Sequence, residues 1–314
     1  MPCARRSATS PPCWPRTADV RRGAAAWNRR LTPWLFLAPA LLPGVVFFLL
    51  PGLIALVLSF TSWNLLSPPR WVGLANYAYL LGTDPVFYRT LLNTFVFAIG
   101  TALLGIPLAL GIAWAIAASH GKAFWRVIYW LPMVTNAVAI AYAWQFVLDP
   151  ADGILNRLLG LLGLGGPDWL GSPATAMLSV VAIATWASLG HNILLFSAGL
   201  EEIDERLYEA AEIDGAGPWR MLWSITLPML RPTLLFTSVT SLISGLGSFA
   251  LILLLTNGGP EGSTNVTALY FYQMAFEHLR MGRASAAALV LFALILVLTL
   301  IQLRLLREGG VDAD

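Results

Sequence analysis

Charged residues are scarce in this chain of 314 residues. Asp, Glu, Lys and Arg together make up 11% of it, whereas a soluble globular domain carries about 25%. Hydrophobic residues account for 57%, and the mean hydropathy is +0.70. This composition excludes a soluble globular protein and predicts a protein of the lipid bilayer.

Cysteine is almost absent as well. The two cysteines, Cys3 and Cys13, lie near the N-terminus and have no partner elsewhere in the sequence. This argues against a disulfide framework and against a zinc site. We therefore expect neither a metal nor a cofactor in this chain.

Long apolar runs fill most of the remaining sequence. A helix needs about 20 apolar residues to cross roughly 30 Å of hydrocarbon. Six segments satisfy this requirement, namely residues 34–60, 91–118, 127–148, 175–200, 233–255 and 286–306. The sequence thus predicts an all-α, polytopic membrane protein with six transmembrane helices. No internal repeat and no second domain are visible.

The basic residues predict how the spans are oriented. With the N-terminus in the cytosol, 14 of the 19 basic residues would face the cytosol, as the positive-inside rule requires. Both termini are therefore predicted to be cytosolic. Residues 1–30, rich in Pro, Ser, Ala and Arg, are expected to form a disordered cytosolic tail. Residues 31–307 would form the transmembrane domain, and 308–314 a short cytosolic tail.

Two kinds of functional group are missing. No charged side chain lies in the middle of a predicted span, which argues against a proton-coupled carrier and an aspartyl intramembrane protease. A phosphate-binding loop is missing too, because Lys122 of the only Gly-Lys pair is followed by Ala123. If the protein moves a solute uphill, the energy must come from another subunit.

Two predicted spans carry polar side chains. Ser188, His191 and Asn192 lie in the fourth span, and serines recur at three- and four-residue spacing in the fifth, at Ser241, Ser244 and Ser248. This spacing places the serines on one helical face. Such a stripe is consistent with close packing of helices and equally with a polar cavity for a solute. Spacing alone does not separate the two hypotheses.

An acidic segment at residues 201–227 interrupts the apolar chain. Seven of the seventeen acids fall between Glu201 and Asp214. Apolar residues at helical spacing predict a short amphipathic helix here, including Ile203, Leu207 and Ile213. Gly215 suits its left-handed cap, and Pro218 suits the first turn of a second helix. We call residues 201–227 the elbow and predict that it docks on another protein, with a solvated acidic loop as the alternative.

The elbow also carries a family resemblance. Glu209, Ala210 and Ala211, followed by Gly215, Ile225, Leu227 and Pro228, match the cytosolic signature of binding-protein-dependent ABC importer permeases. The stretches WLFLAPALL at 34–42, WVGLANY at 71–77, TNGGP at 256–260 and the segment 282–306 resemble the carbohydrate-importer branch. Within it, the chain is similar to the larger membrane subunit of maltose importers and the first permease of glycerol-phosphate importers.

The resemblance implies a type I ABC importer permease fold in the inner membrane of a bacterium or archaeon. It implies three partners: a second, homologous permease, a dimer of ATPase subunits that bind ATP and Mg, and an extracytoplasmic solute-binding protein. No nucleic acid is expected. The elbow would couple to the ATPase through Glu209, Ala210, Ala211, Asp214, Gly215, Ile225, Leu227 and Pro228. By position, Ser188, His191, Asn192, Ser241, Ser244, Gly245 and Ser248 would lie along the substrate pathway.

The expected function is ATP-driven import of a sugar, with an oligosaccharide or disaccharide favoured. This chain would not itself be an enzyme. One alternative is an importer of glycerol phosphate or another polyol, although a phosphate calls for cations that the spans do not carry. Another is an ATP-independent facilitator or channel. An intramembrane enzyme is more distant, because no nucleophile–base pair is visible.

Overall fold

The structure, a computed structural model, describes residues 22–308, which are almost entirely helical. Within this range the α-helices are α1 Arg22–Gly44, α2 Leu50–Leu58, α3 Ala75–Gly82, α4 Pro85–Ala117, α5 Lys122–Val134, α6 Ala137–Val147, α7 Ile154–Leu161, α8 Ala176–Glu201, α9 Glu205–Ile213, α10 Pro218–Met221, α11 Leu227–Met229, α12 Arg231–Gly247, α13 Ala250–Thr256, α14 Thr267–Phe276 and α15 Met281–Glu308. Val45–Leu49 and Leu222–Thr226 are π-helical. Strands β1 Thr61–Ser62 and β2 Arg70–Trp71 pair antiparallel, with Thr61 opposite Trp71.

Within residues 22–308, four segments are long and apolar enough to cross a membrane. They are Pro33–Leu58, Pro85–Ala117, Ala176–Glu201 and Met281–Arg304, and six spans result if each of two bent helix pairs is counted as one. The predicted all-α membrane fold is confirmed. The second span begins at Pro85 rather than at residue 91, because Asp84 caps it and Pro85 occupies its first turn.

The third predicted span, 127–148, is not one continuous helix. Helices α5 and α6 meet at an angle of 96°. Pro132 lies in the last turn of α5, and the Asn136 side chain accepts a 2.8 Å hydrogen bond from the amide of Val138. A proline removes a backbone donor, and an N-cap starts a new helix, so these two residues break the span.

The fifth predicted span, 233–255, is also broken. Helices α12 and α13 meet at 49°. The break falls at Ser248, whose backbone is extended (φ −74°, ψ 133°). Gly245 and Gly247 precede it, and glycine is a weak helix former because the unfolded chain gives it more conformational freedom. The serine stripe therefore runs from the end of α12 into the break.

The amino-terminal helix begins earlier than the sequence predicted. Residues 1–21 of the expected tail, with Cys3 and Cys13, lie outside the described residues, but α1 already starts at Arg22. Three consecutive alanines at 24–26 favour helix there and extend it back from the apolar run. The chain divides into two units, Met1–Ile54 and Ala55–Asp314. In the first, the large apolar side chains from Trp34 to Ile54 are exposed, as in a lipid-facing helix.

The second unit is organised around α4. This helix packs along α8 and α12, and α8 also packs against α5. Toward the C-terminal end of α4, Ala109, Ala113 and Ile116 pack with Ile193 and Phe196 of α8. Small residues on α4 allow the helix axes to approach closely, which is how membrane helices associate without a hydrophobic driving force between them.

Asp84 links the start of α4 to α14. One carboxylate oxygen, Oδ1, accepts hydrogen bonds from the amides of Val86 (2.9 Å) and Phe87 (3.3 Å), and Oδ2 accepts one of 2.6 Å from the Tyr270 hydroxyl. Both residues are buried. Burial, together with the hydrogen bond to Asp84, raises the pKa of the Tyr270 phenol above its usual value. Such a phenol stabilises the fold fully below the unfolded pKa of about 10 and less above it.

Removing this hydroxyl is expected to destabilise the fold. Tyr270→Phe deletes a hydrogen bond to a buried carboxylate, so the free energy of unfolding should fall by about 1.5–3 kcal/mol. Denaturant unfolding in detergent micelles at pH 7 measures it. Tyr272→Phe on the same helix is the control, because the Tyr272 ring instead stacks on Phe249 and Phe276. Equal losses in the two variants would contradict the role of Asp84.

Candidate functional site

Helices α4, α8 and α12 border an open polar cleft of about 160 Å³. All seven residues predicted for the substrate pathway line it: Ser188, His191 and Asn192 from α8, Ser241, Ser244 and Gly245 from α12, and Ser248 at the break after α12. Sequence reasoning missed four others, which are Phe97, Thr101, Ala184 and Thr240. Phe97 and Thr101 belong to α4, and nothing in the sequence indicated that this helix borders the cleft.

Several hydroxyl groups in the cleft donate a hydrogen bond to a backbone carbonyl of their own helix. Ser188 Oγ donates to the carbonyl of Thr185 at 3.0 Å, and Thr101 Oγ1 donates to that of Phe97 at 2.9 Å. Thr240 does the same with Phe236 at 2.8 Å. Each oxygen keeps lone pairs that can accept from a solute hydroxyl. The cleft is thus rich in acceptors suited to an uncharged, hydroxyl-bearing solute.

Charge is missing from the cleft lining. Among its lining residues, His191 is the only titratable one, and none is Asp, Glu, Lys or Arg. The amide of Asn192 is buried at the α4 side, 3.8 Å from the position that a Cβ on Gly105 would take. A phosphate or carboxylate would find no cation here to replace its hydration. The lining therefore favours a neutral solute.

Gly245 lies at the contact between α12 and α4, unlike the serines around it. It is buried, and a Cβ on it would lie 2.9 Å from Ala98 Cα and 3.0 Å from Ala98 Cβ. Glycine here lets α12 approach α4 closely. It shapes the wall of the cleft and contributes no polar side chain to it.

The elbow has the predicted helix–turn–helix shape. Asp204 caps α9 by accepting a 3.0 Å hydrogen bond from the Arg206 amide. At the other end, Gly215 adopts φ +75°. The Gly215 amide donates to the Glu212 carbonyl at 3.0 Å, and the Ala216 amide donates to the Ala211 carbonyl at 2.9 Å. This pair of bonds is a Schellman cap. Pro218 is in the first turn of α10. The predicted cap and restart are confirmed.

The predicted coupling residues divide into an exposed and a partly buried group. Glu209, Ala210, Asp214, Gly215 and Pro228 are exposed, whereas Ala211, Ile225 and Leu227 are partly buried. Between the two helices, the Tyr208 and Thr226 hydroxyls form a 2.9 Å hydrogen bond. This bond attaches the exposed helix α9 to the segment that re-enters the apolar part of the chain.

The apolar stripe predicted for α9 is only partly correct. Ile203 is buried, but Leu207 is exposed, and Ile213 is exposed to 87%. Ile213 is the last helical residue before the turn at Gly215, so its side chain lies at the tip of the elbow, beyond the body of the protein.

Within residues 22–308, no three His, Cys, Asp or Glu side chains lie close enough together to hold a metal ion. The polar cleft and the elbow are the two places that the sequence singled out. The structure keeps each set of residues together, with one set between helices and the other at the surface.

Known proteins are similar to this chain in both sequence and fold. The family described as "Binding-protein-dependent transport system inner membrane component" matches residues 105–308. The permease protein UgpA of an sn-glycerol-3-phosphate transport system from Agrobacterium fabrum is 33% identical over 91% of this chain and 98% of its own. The permease protein NgcF of a diacetylchitobiose uptake system from Streptomyces coelicolor is 32% identical over 95% of this chain and 88% of its own.

A solved structure of an importer has a fold similar to that of this chain. A chain of a bacterial ABC transporter involved in the import of the acidic polysaccharide alginate has a TM-score of 0.77, with 25% identity over 91% of this chain and 99% of that chain. The resemblance to importer permeases is thereby confirmed, as is the prediction of a permease rather than an enzyme. This chain belongs to the inner membrane components of binding-protein-dependent ABC transport systems.

Proposed function

We propose that this chain is one of two permease subunits of an ATP-driven importer that moves an uncharged sugar, an oligosaccharide or disaccharide, into the cytoplasm of a bacterium or archaeon. The observation that carries the proposal is the polar cleft: seven predicted residues meet there between apolar helices, and its lining carries no Asp, Glu, Lys or Arg. Hydroxyls and an amide can replace the water around a sugar without the cost of burying a charge.

The energy would come from outside the chain. An ATPase dimer that binds ATP and Mg would dock on the elbow, in the orientation that places both termini in the cytosol. A solute-binding protein would deliver the sugar from the opposite side. Closure of the ATPase dimer would move the elbows together and switch the two permeases from inward-facing to outward-facing. Exposed Glu209 and Ile213, and the hydrogen bond between Tyr208 and Thr226, support this path of force.

A second candidate is import of glycerol phosphate or another polyol. UgpA, a permease of an sn-glycerol-3-phosphate transport system, is similar over nearly its whole length. Against a phosphate stands the lack of cations in the cleft lining. A neutral polyol fits the cleft as a sugar does.

Reconstitution in proteoliposomes tests these possibilities. Uptake of radiolabelled maltose, chitobiose, glycerol and glycerol 3-phosphate should require ATP, the second permease, the ATPase and the binding protein together. Preference for a neutral sugar supports the proposal, and preference for glycerol 3-phosphate supports the second candidate. Flux through this chain alone without ATP would show a facilitator and contradict both.

Blocking the cleft is expected to stop transport without disturbing assembly. Ser244→Leu places a bulky apolar side chain where a small hydroxyl lines a cavity of about 160 Å³. Uptake should fall at least about tenfold, the equivalent of roughly 1.4 kcal/mol. Uptake in proteoliposomes, with co-purification of the ATPase as the assembly measure, tests it. The neighbouring Ile243→Leu does not alter the cleft lining and should transport normally; equal uptake by the two variants would contradict the assignment.

A further inference from the structure

A second cavity lies at the end of the spans, beside the elbow, and no function has been assigned to it. Its volume is about 290 Å³, well above the about 10–15 Å³ that one water molecule needs. Its walls come from the last turns of α4 and α8, the first turns of α5, and α9. Because α4 and α8 are membrane spans that end here, the cavity lies at a boundary of the bilayer.

Two buried polar groups in this cavity have no partner within the described residues. Ser197 is only 3% exposed, and its hydroxyl makes no hydrogen bond. Arg126 forms an ion pair with Glu201 through Nη2, but its buried Nε–H has no acceptor. Buried polar groups are paired in the great majority of cases, and leaving one unpaired is costly. Both residues line the cavity, and a small movement of either side chain would bring its covered donor to an acceptor oxygen of a ligand.

The charges around the cavity are of both signs. Lys122 and Arg126 provide two cations, and Glu201 and Glu205 two carboxylates. The helix ends reinforce this separation: Lys122 is the first residue of α5, and Glu201 is the last residue of α8. The amino end of a helix attracts anions and its carboxyl end attracts cations. A ligand that carries both charges matches this lining better than a simple anion does.

We propose that this cavity binds the zwitterionic headgroup of phosphatidylethanolamine. The phosphate accepts hydrogen bonds from Ser197 Oγ and Arg126 Nε and faces Lys122, while the primary ammonium donates to Glu201 and Glu205. Exposed apolar side chains on the next turns of the same face of α5, Trp130 and Met133, give the acyl chains an apolar surface. The bound lipid would connect α5 and α8 to the first helix of the elbow.

Lipid binding is tested by native mass spectrometry of the full-length chain, and of the assembled importer, in detergent. Three lipids with identical acyl chains are compared: phosphatidylethanolamine, phosphatidylcholine, whose trimethylated ammonium has no N–H to donate, and phosphatidylglycerol, which has no ammonium. Phosphatidylethanolamine should bind at least about tenfold more tightly than either of the other two lipids. Equal binding of all three, or tighter binding of phosphatidylglycerol, would overturn the proposal, as would loss of the preference in the assembled importer.

A substitution at Ser197 separates a ligand site from a structural role. Ser197→Ala should weaken binding of phosphatidylethanolamine about tenfold, the size expected for a lost hydrogen bond to a charged group. In lipid-free detergent it should leave the melting temperature unchanged or raised, because it removes an unpaired buried hydroxyl. Ser238→Ala on α12, whose hydroxyl bonds the Leu235 carbonyl at 2.8 Å, is the matched control. Similar lipid affinities for the two variants would overturn the assignment of the Ser197 hydroxyl to the lipid site.

Discussion

Glu209→Lys is expected to abolish ATP-driven uptake while leaving the chain inserted in the membrane. Glu209 is exposed on α9, away from the apolar helices, so the fold does not depend on it. On the proposed surface it meets a basic groove of the ATPase, and reversal of a charge at an interface replaces attraction by repulsion. Co-purification with the ATPase should fall at least about tenfold, and uptake with it.

Glu202→Lys is the matched control for this substitution. Glu202 is an exposed acid of the same segment, but it caps the end of α8 and does not lie on α9. A cation at the carboxyl end of a helix is favourable, so this variant should assemble and transport. If both variants assemble normally, Glu209 has no special role; if both fail, the net charge of the elbow matters rather than this position.

Gly190→Ala is expected to cause a large loss of stability. A Cβ at position 190 would lie 2.3 Å from the Tyr129 carbonyl oxygen and 2.9 Å from Trp130 Cα, both backbone atoms of α5. Overpacking of this kind costs about 1–3 kcal/mol or more, because rigid backbone cannot move aside. Helices α5 and α8 would separate next to His191 of the cleft, so both the yield of folded protein and uptake should fall.

Gly111→Ala provides the comparison within the same fold. A Cβ on Gly111, in the carboxyl-terminal third of α4, would meet nothing within 4 Å. Alanine is a better helix former than glycine by about 0.5–1 kcal/mol, so this variant should be unchanged or slightly more stable. Thermal unfolding in detergent of the two variants measures the difference. Similar melting temperatures would contradict the close contact between α5 and α8.

Composition and hydrophobic length were sufficient to predict the class of fold. A charged fraction of 11% and six long apolar runs leave few options other than a bundle of membrane helices. The local signals of the elbow were equally reliable. Gly215 and Pro218 act through their own backbone geometry, which depends on no distant residue, so the cap and the restart could be predicted from the sequence.

The breaks within two spans were not predicted, although their causes are visible in the sequence. Pro132 and Asn136 end α5 and start α6, and Ser248 separates α12 from α13. Hydropathy averages over a whole run and does not register a single cap or an extended residue inside it. In a membrane such a break persists only where neighbouring groups satisfy the freed backbone, and those neighbours come from the tertiary structure.

Helical spacing placed the serines of α12 on one face but left open whether that face packs or lines a cavity. The structure decides this point, because α4 and α8 approach α12 and leave a cleft between them. It also distinguishes Gly190, which is in contact with the backbone of α5, from Gly111, which faces open space. The two glycines look alike in the sequence.

By itself the sequence determined that the chain lies in a membrane, which stretches are apolar enough to span it and where its elbow turns, because these depend on hydrophobic length and on local backbone preference. Only the tertiary structure decided which polar side chains share a cleft, and that Ser197 and Arg126 Nε are buried without partners beside a second cavity. These properties arise from contacts between helices far apart in the chain, and no local pattern encodes them.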